Sequence, residues 1–205
     1  MGNPLVSIIV ITYNSSKYVL ETLESARAQT YQNIELIVSD DGSTDDTVQI
    51  CRDWLKENSE RFVQTQLLTV EKNTGIPANC NRGVKASKGE WIKLIAGDDI
   101  LFPDAIENTL RCAIENNKKF VISDLQFFNE VGELNHYGSP KEIARFFSKK
   151  NVKEKYLSYL RSSVFLNSPT YFYNRSVYIS TNGYDEDFKM LEDCNTPLIV
   201  GQRFS

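Results

Sequence analysis

Leu5-Val6-Ser7-Ile8-Ile9-Val10-Ile11 decides the fold of this chain. The run is apolar apart from Ser7, mostly β-branched, and shows no alternation between apolar and polar residues. Such a segment fits a strand covered on both faces, as in a parallel sheet. Outward from it, residues 17–29 place Val19, Leu23 and Ala26 at helical spacing, and residues 34–39 (IELIVS) form a second strand that ends in Asp40-Asp41. Ser43-Thr44-Asp45-Asp46 has the form of a capping box, followed by Val48, Cys51 and Leu55 on one helix face. A third strand lies within residues 62–71. Gly75-Ile76-Pro77 opens a helix with proline in its first turn, and Ile76, Cys80 and Val84 line its inner side. Residues 91–96 (WIKLIA) are a fourth strand, residues 103–116 a helix with Ile106, Leu110 and Ile114 facing inward, and residues 120–123 a fifth strand.

Strands and helices alternate through residue 124. Crossover helices join parallel neighbours, so the pattern predicts an α/β fold with a mostly parallel central sheet flanked by helices. Residues 125–167 read differently, as a hairpin followed by Lys- and Ser-rich helical segments. The 205 residues suit one domain, 1–205. Its hydrophobic share of 41% and charged share of 24% are those of a globular protein. The net charge of −4 argues against a nucleic-acid partner, which needs a basic face. No apolar run reaches the roughly 18 residues of a membrane-spanning helix. Residues 1–4 (MGNP) run straight into the first strand, so no signal peptide is expected. Cys51, Cys80, Cys112 and Cys194 form no Cys-x-x-Cys pair and read as small buried hydrophobes of a reducing compartment. His136 has no second histidine with which to share a metal and reads as a loop residue.

In open α/β sheets, ligands sit beyond the carboxyl ends of the strands. Asp40-Asp41, Asp98-Asp99 and Asp124 lie at such ends. Two neighbouring carboxylates repel, and a divalent cation removes that cost; Mg²⁺ or Mn²⁺ takes carboxylate oxygens together with substrate phosphates. A solvated Gly-Asp-Asp turn is the alternative. Asp40-Asp41-Gly42-Ser43 is either a turn with a helix cap or a carboxylate that binds a base or ribose. The first strand-to-helix turn, Thr12-Tyr13-Asn14-Ser15-Ser16, has none of the glycines that cradle a dinucleotide's phosphates. Tyr13 is placed there to stack on a base or to be buried.

Several ordered blocks resemble the family-2 glycosyltransferases of GT-A fold. Residues 6–14 (VSIIVITYN) resemble the opening strand and residues 29–47 (QTYQNIELIVSDDGSTDDT) the second block. Residues 73–99 (NTGIPANCNRGVKASKGEWIKLIAGDD) resemble the third, with Asn73, Gly75, Ala78, Asn81 and Gly83 in place; residues 182–188 (NGYDEDF) and 191–193 (LED) resemble the acceptor-side blocks. The resemblance implies transfer of a sugar from a nucleotide diphosphate donor, a UDP-sugar by preference, to a saccharide or lipid-linked acceptor, with inversion at the anomeric carbon. It implies a nucleotide-sugar-binding half (1–124) and an acceptor-side half (125–205). Asp41 would hold the base with Tyr13 and Asp40, Asp98 would face the nucleotide, Asp98 and Asp99 would hold Mn²⁺ or Mg²⁺, and Asp193 would be the catalytic base beside Glu192. Ala96 stands where many members carry the first aspartate of Asp-x-Asp. The chain ends at Ser205, soon after Asp193, where members usually continue. The setting implied is polysaccharide synthesis in the cytoplasm, with peripheral association at the inner face of the membrane left open, as is the oligomeric state. A sugar-nucleotide-binding domain without turnover is the alternative; nucleotidyl transfer lacks its Gly-rich, basic phosphate loop.

Overall fold

The computed structural model describes residues 2–128, 134–135 and 168–187. Strands β1 (Val6–Thr12), β2 (Ile34–Asp40), β3 (Gln64–Thr69) and β4 (Trp91–Ala96) run parallel, with β1 between β2 and β4. Helices α1 (Val19–Arg27), α2 (Thr47–Asn58), α3 (Ile76–Ala86) and α4 (Ala105–Glu115) connect and extend them. β5 (Phe120–Ile122) follows α4. Phe127–Phe128 (β6) pairs with Leu134–Asn135 (β7) as the hairpin expected from the sequence. Tyr171–Asn174 (β8) then enters the main sheet between β4 and β5, antiparallel to both, and α5 (Arg175–Thr181) follows. The sheet order is β3-β2-β1-β4-β8-β5, mixed but mostly parallel.

The continuous apolar character of β1 has a direct cause. Val6, Ile8 and Val10 face a layer that includes Leu23, Trp54 and Leu110 from α1, α2 and α4. Ile9 and Ile11 face Cys80, Val84 and Val177 from α3 and α5 on the other side. Each strand residue therefore meets a helix whichever way it points. Trp91 and Phe172 stack across the β4–β8 seam, with ring centroids 5.2 Å apart and planes 5° from parallel.

Three local expectations are corrected. The capping box does not form: Ser43 turns its hydroxyl to Asp40, and Asp45 caps the Thr47 amide at 3.0 Å where α2 begins. On α4 the inner face is Ile106, Leu110 and Ala113, and Ile114 is 39% exposed. Spacings of four and seven keep one face, whereas a spacing of eight drifts off it. Cys51 and Cys80 are buried as expected, but Cys112 is exposed. Burial pushes the Cys51 thiol up to about 12, so it is inert at neutral pH. Among the described residues, no helix is long and apolar enough to cross a membrane.

β4 carries a buried amine. Lys93 is inside the sheet, and its Nζ donates to the Pro169 carbonyl ahead of β8. Burial pushes the amine down to about 8, although the Asp99 carboxylate pulls it back upward. Between that value and the ordinary lysine range, the unfolded chain still holds a proton that the folded chain has released. Stability contributed by this group therefore rises with pH from about 8 upward. In urea titrations, the stability of wild type relative to Lys93→Met should climb across that window. A difference that stays flat would show that the buried amine does not titrate there.

Candidate active site

The chain visits β1, β2 and β3 on one side and then crosses back to β4 on the other. The carboxyl ends of β1 and β4 thus flank the point where the strand order reverses, which is where ligands bind in open α/β sheets. Registers of Thr12 with Asp40 and Ile11 with Ala96 bring the turns after β2 and β4 to the same edge as the turn after β1.

These turns are bonded to one another. The Asn14 amide donates to Ser43 Oγ at 2.8 Å, the Thr44 amide to Asn14 Oδ1 at 2.8 Å, and the Ser15 amide to Thr47 Oγ1 at 2.8 Å. The Ser16 amide donates to Asp45 at 3.1 Å. Tyr13 stands out from this framework, 49% exposed. Of the two readings of Tyr13, burial is excluded, and the ring is free to meet a planar ligand.

Asp40 and Asp41 divide the work that the sequence assigned to both. Asp40 is buried and accepts from Thr12 Oγ1 at 2.8 Å, the Ser43 amide at 2.9 Å, the Gly42 amide at 3.1 Å and Ser43 Oγ at 2.5 Å. Its oxygens are used up in holding the turn. Gly42 itself has φ +81°, and a β-carbon there would lie 2.9 Å from the Lys72 backbone, so the 72–75 loop can close over β2 only past a glycine.

Asp41 is the centre of a second cluster. It accepts from the Thr74 amide at 2.9 Å, Thr74 Oγ1 at 2.5 Å, the Gly75 amide at 2.8 Å and Arg82 Nη2 at 3.0 Å. Burial alone would raise its carboxyl, but the bonds from Thr74, Arg82 and Gly75 outweigh burial and hold it below the usual carboxylate range. Arg82 also reaches Thr74 Oγ1 at 2.8 Å and Asn79 Oδ1 at 2.9 Å. Thr74 and Arg82 were missed in the sequence. The only signal for Arg82 was a basic residue two positions after Cys80 on the helix that faces Asp41.

After β4, the two aspartates part. Asp98 is exposed. Asp99 is half-buried, and its Oδ2 accepts the Ala96 amide at 3.1 Å, closing the turn. Among the described residues, no group of three His, Cys, Asp or Glu side chains comes together. The pair nevertheless fits a cation held jointly by one or two carboxylates and a diphosphate, the usual arrangement for Mg²⁺ with phosphates. Asp98 is the carboxylate available for that role, and Asp99 shapes the turn that presents it. Asp124 is exposed after β5. Glu192, Asp193 and His136 lie outside the described residues.

Residues 7–180 match the family model described as Glycosyl transferase family 2. The chain belongs to glycosyl transferase family 2. Among its relatives, the family-2 sequence is 34% identical over 126 residues to "Glycosyltransferase GlyG" of Streptococcus pneumoniae serotype 4, covering 62% of this chain and 40% of that protein. Among solved structures, S. aureus TarS 1-349 in complex with UDP matches with a TM-score of 0.71 and 24% identity, over 95% of this chain and 54% of that one. The mannosyltransferase PcManGT from Pyrobaculum calidifontis, in complex with GDP-Man and Mn²⁺, matches with a TM-score of 0.66 and 18% identity, over 95% of this chain and 50% of that one. These structures share the GT-A fold. The family-2 chain spans about half, or less, of the length of each of these three proteins.

Proposed function

We propose that this chain is the catalytic domain of a metal-assisted, inverting glycosyltransferase that takes its sugar from a nucleoside diphosphate donor, preferably a UDP-sugar. The acceptor would be a saccharide or a lipid-linked glycan, met on the cytoplasmic side. The observation that carries the reading is the meeting of Tyr13, the Asp41–Thr74–Arg82 cluster and Asp98 at one sheet edge, at the point of strand reversal. The neighbours' own ligands, UDP in TarS and GDP-Man with Mn²⁺ in PcManGT, support it.

In this mechanism Tyr13 stacks on the base. Asp41 accepts from the base N–H in the place that the Thr74 hydroxyl gives up by turning away from it, and that hydroxyl and Arg82 donate to the carbonyl groups of the base, so that one edge offers both an acceptor and donors. Asp98, with Asp99 behind it, would hold Mn²⁺ or Mg²⁺ against the diphosphate. A bound divalent cation supplies Lewis-acid stabilisation for the charge that grows on the departing diphosphate. Asp193 takes the proton from the acceptor hydroxyl as that oxygen attacks the anomeric carbon from the opposite face, and Glu192 beside it keeps the base basic.

The test is UDP affinity measured by calorimetry with Mn²⁺ and with excess chelator, followed by transfer assays over a panel of UDP-, GDP- and dTDP-sugars. Mn²⁺ should tighten UDP by about tenfold or more, roughly 1.4 kcal/mol. Asp98→Ala should remove that gain, whereas Asp99→Ala should lower thermal stability as well, because the Ala96 amide loses its acceptor. Equal affinity in chelator would end the metal assignment. UDP binding without turnover on any donor would leave a binding domain.

A further inference from the structure

Asn81 lies on α3, one residue before Arg82, and is buried. Its amide uses all of its bonding capacity on Tyr178, Tyr184 and Glu186, none of which bonds Asp41. Nδ2 donates to the Tyr184 carbonyl at 2.9 Å and to Glu186 Oε1 at 2.7 Å. Oδ1 accepts from the Tyr184 amide at 2.9 Å and from the Tyr178 hydroxyl at 2.9 Å. The two backbone bonds to Tyr184 fix which end of the amide is oxygen and which is nitrogen, since an N–H must meet the oxygen and a C=O the nitrogen. The contact is therefore the pairing that a strand would make, supplied by one side chain.

The segment it grips is built to be gripped there. Asn182 ends α5 in the left-handed region, and Gly183 follows with φ +76°. A β-carbon at Gly183 would come within 2.8 Å of Asn81 Oδ1 and 2.9 Å of the Tyr178 hydroxyl, so only glycine lets the chain pass. Tyr184 is buried, and its hydroxyl lies 3.2 Å from that of Tyr173 on β8. Glu186 stands at the exit of this segment, ahead of Leu191-Glu192-Asp193 in the chain.

We propose that Asn81 is a positioning residue for sugar transfer: it locks the 183–186 segment, and with it the start of the acceptor-side block, to the helix that frames the nucleotide cluster. The proposal rests on the assignment of Asp193 as the base. One helix then serves both substrates. Its N-terminal loop (Thr74, Gly75) and Arg82 hold Asp41, and Asn81 holds the chain that leads to the proton acceptor. Aspartate at position 81 keeps the two acceptor bonds, loses both donor bonds and sets a carboxylate against Glu186. Glutamine at position 186 restores a donor opposite that carboxylate.

The experiment uses the full chain, with UDP and Mn²⁺ as the binding probe and, for turnover, the donor that the panel of UDP-, GDP- and dTDP-sugars identifies. Asn81→Asp should lower kcat about 30-fold with donor KM and UDP affinity within about twofold, because the lost bonds lie away from the donor. Asn81→Asp with Glu186→Gln should regain most of that loss, which shows that the two side chains act through their contact, while the fall in kcat at unchanged donor KM separates positioning from a general loss of fold. Amide exchange in Asn81→Ala should quicken at Tyr184–Asp187 ahead of the rest of the sheet. Full kcat in Asn81→Asp, a loss of UDP affinity in step with kcat, or no recovery in the double variant would overturn the proposal. So would unchanged exchange at Tyr184–Asp187, whatever Asp193 does. Full transfer by Asp193→Asn would instead remove the base assignment and leave the exchange result standing on its own.

Discussion

Asp193→Asn is expected to lower sugar transfer by roughly 10²-fold or more, the scale on which a general base acts, while UDP affinity in Mn²⁺ stays unchanged. The carboxylate in this reading meets the attacking hydroxyl and no part of the nucleotide. A group needed only in the transition state lowers kcat and leaves donor binding alone. The rate should also lose its dependence on the base's ionisation, so the acid limb of the pH–rate profile should flatten in the variant. The assay needs an acceptor, or slow transfer to water in its place. Transfer at the wild-type rate would move the base elsewhere, with Glu192 the next residue to test.

Asp41→Asn is expected to weaken UDP by at least tenfold and also to destabilise the fold. The first effect follows from the base-binding role that the resemblance implies, and the second from the bonds the structure gives Asp41. Asp41 is buried against Arg82, and two backbone amides and the Thr74 hydroxyl also point at it. An amide in its place turns one N–H toward these donors and leaves the guanidinium without its counter-charge. Hydrogen bonds to charged groups contribute about 1.5–3 kcal/mol each, and in a chain of this size 1 kcal/mol shifts Tm by roughly 2–4 °C. For one such bond lost, a fall in Tm of roughly 3–12 °C follows. The same cluster gives a pH dependence. Because Asp41's carboxyl is held low in the folded state, its contribution is present above the ordinary carboxylate range and lost as pH falls through the lower, folded value. A variant that loses Tm but binds UDP as wild type would make Asp41 part of the scaffold and not of the base site.

The sequence made the parallel half of the sheet legible because apolar runs without alternation and helical spacing between them are local signals. Acidic residues at strand ends were legible for the same reason. What each acidic residue does was not. Asp40 and Asp41 are adjacent in sequence, yet successive side chains leave a strand in opposite directions, so one is spent on its own turn and the other on the 74–75 loop and Arg82. Asp98 and Asp99 part in the turn after β4, where Asp99 bonds back to the Ala96 amide and Asp98 is exposed. The resemblance picks out Asn81 as a motif position but says nothing of its bonds, which join positions 103 and 105 residues apart in the chain. Ser43 misled because its hydroxyl had two acceptable partners, a helix amide and Asp40, and only the closed turn decides between them.

β8 has a consequence for how this protein is made. Among the described residues, Tyr171–Asn174 is the last strand of the sheet in chain order, yet it lies inside it, between β4 and β5. While translation has not passed Asn174, β4 and β5 each present an unpaired edge, and Trp91 lacks the ring that stacks on it. Open edges of this kind recruit strands from other molecules. Nascent chains should therefore depend on chaperones until this strand emerges, and truncations that stop short of it should be recovered as aggregates.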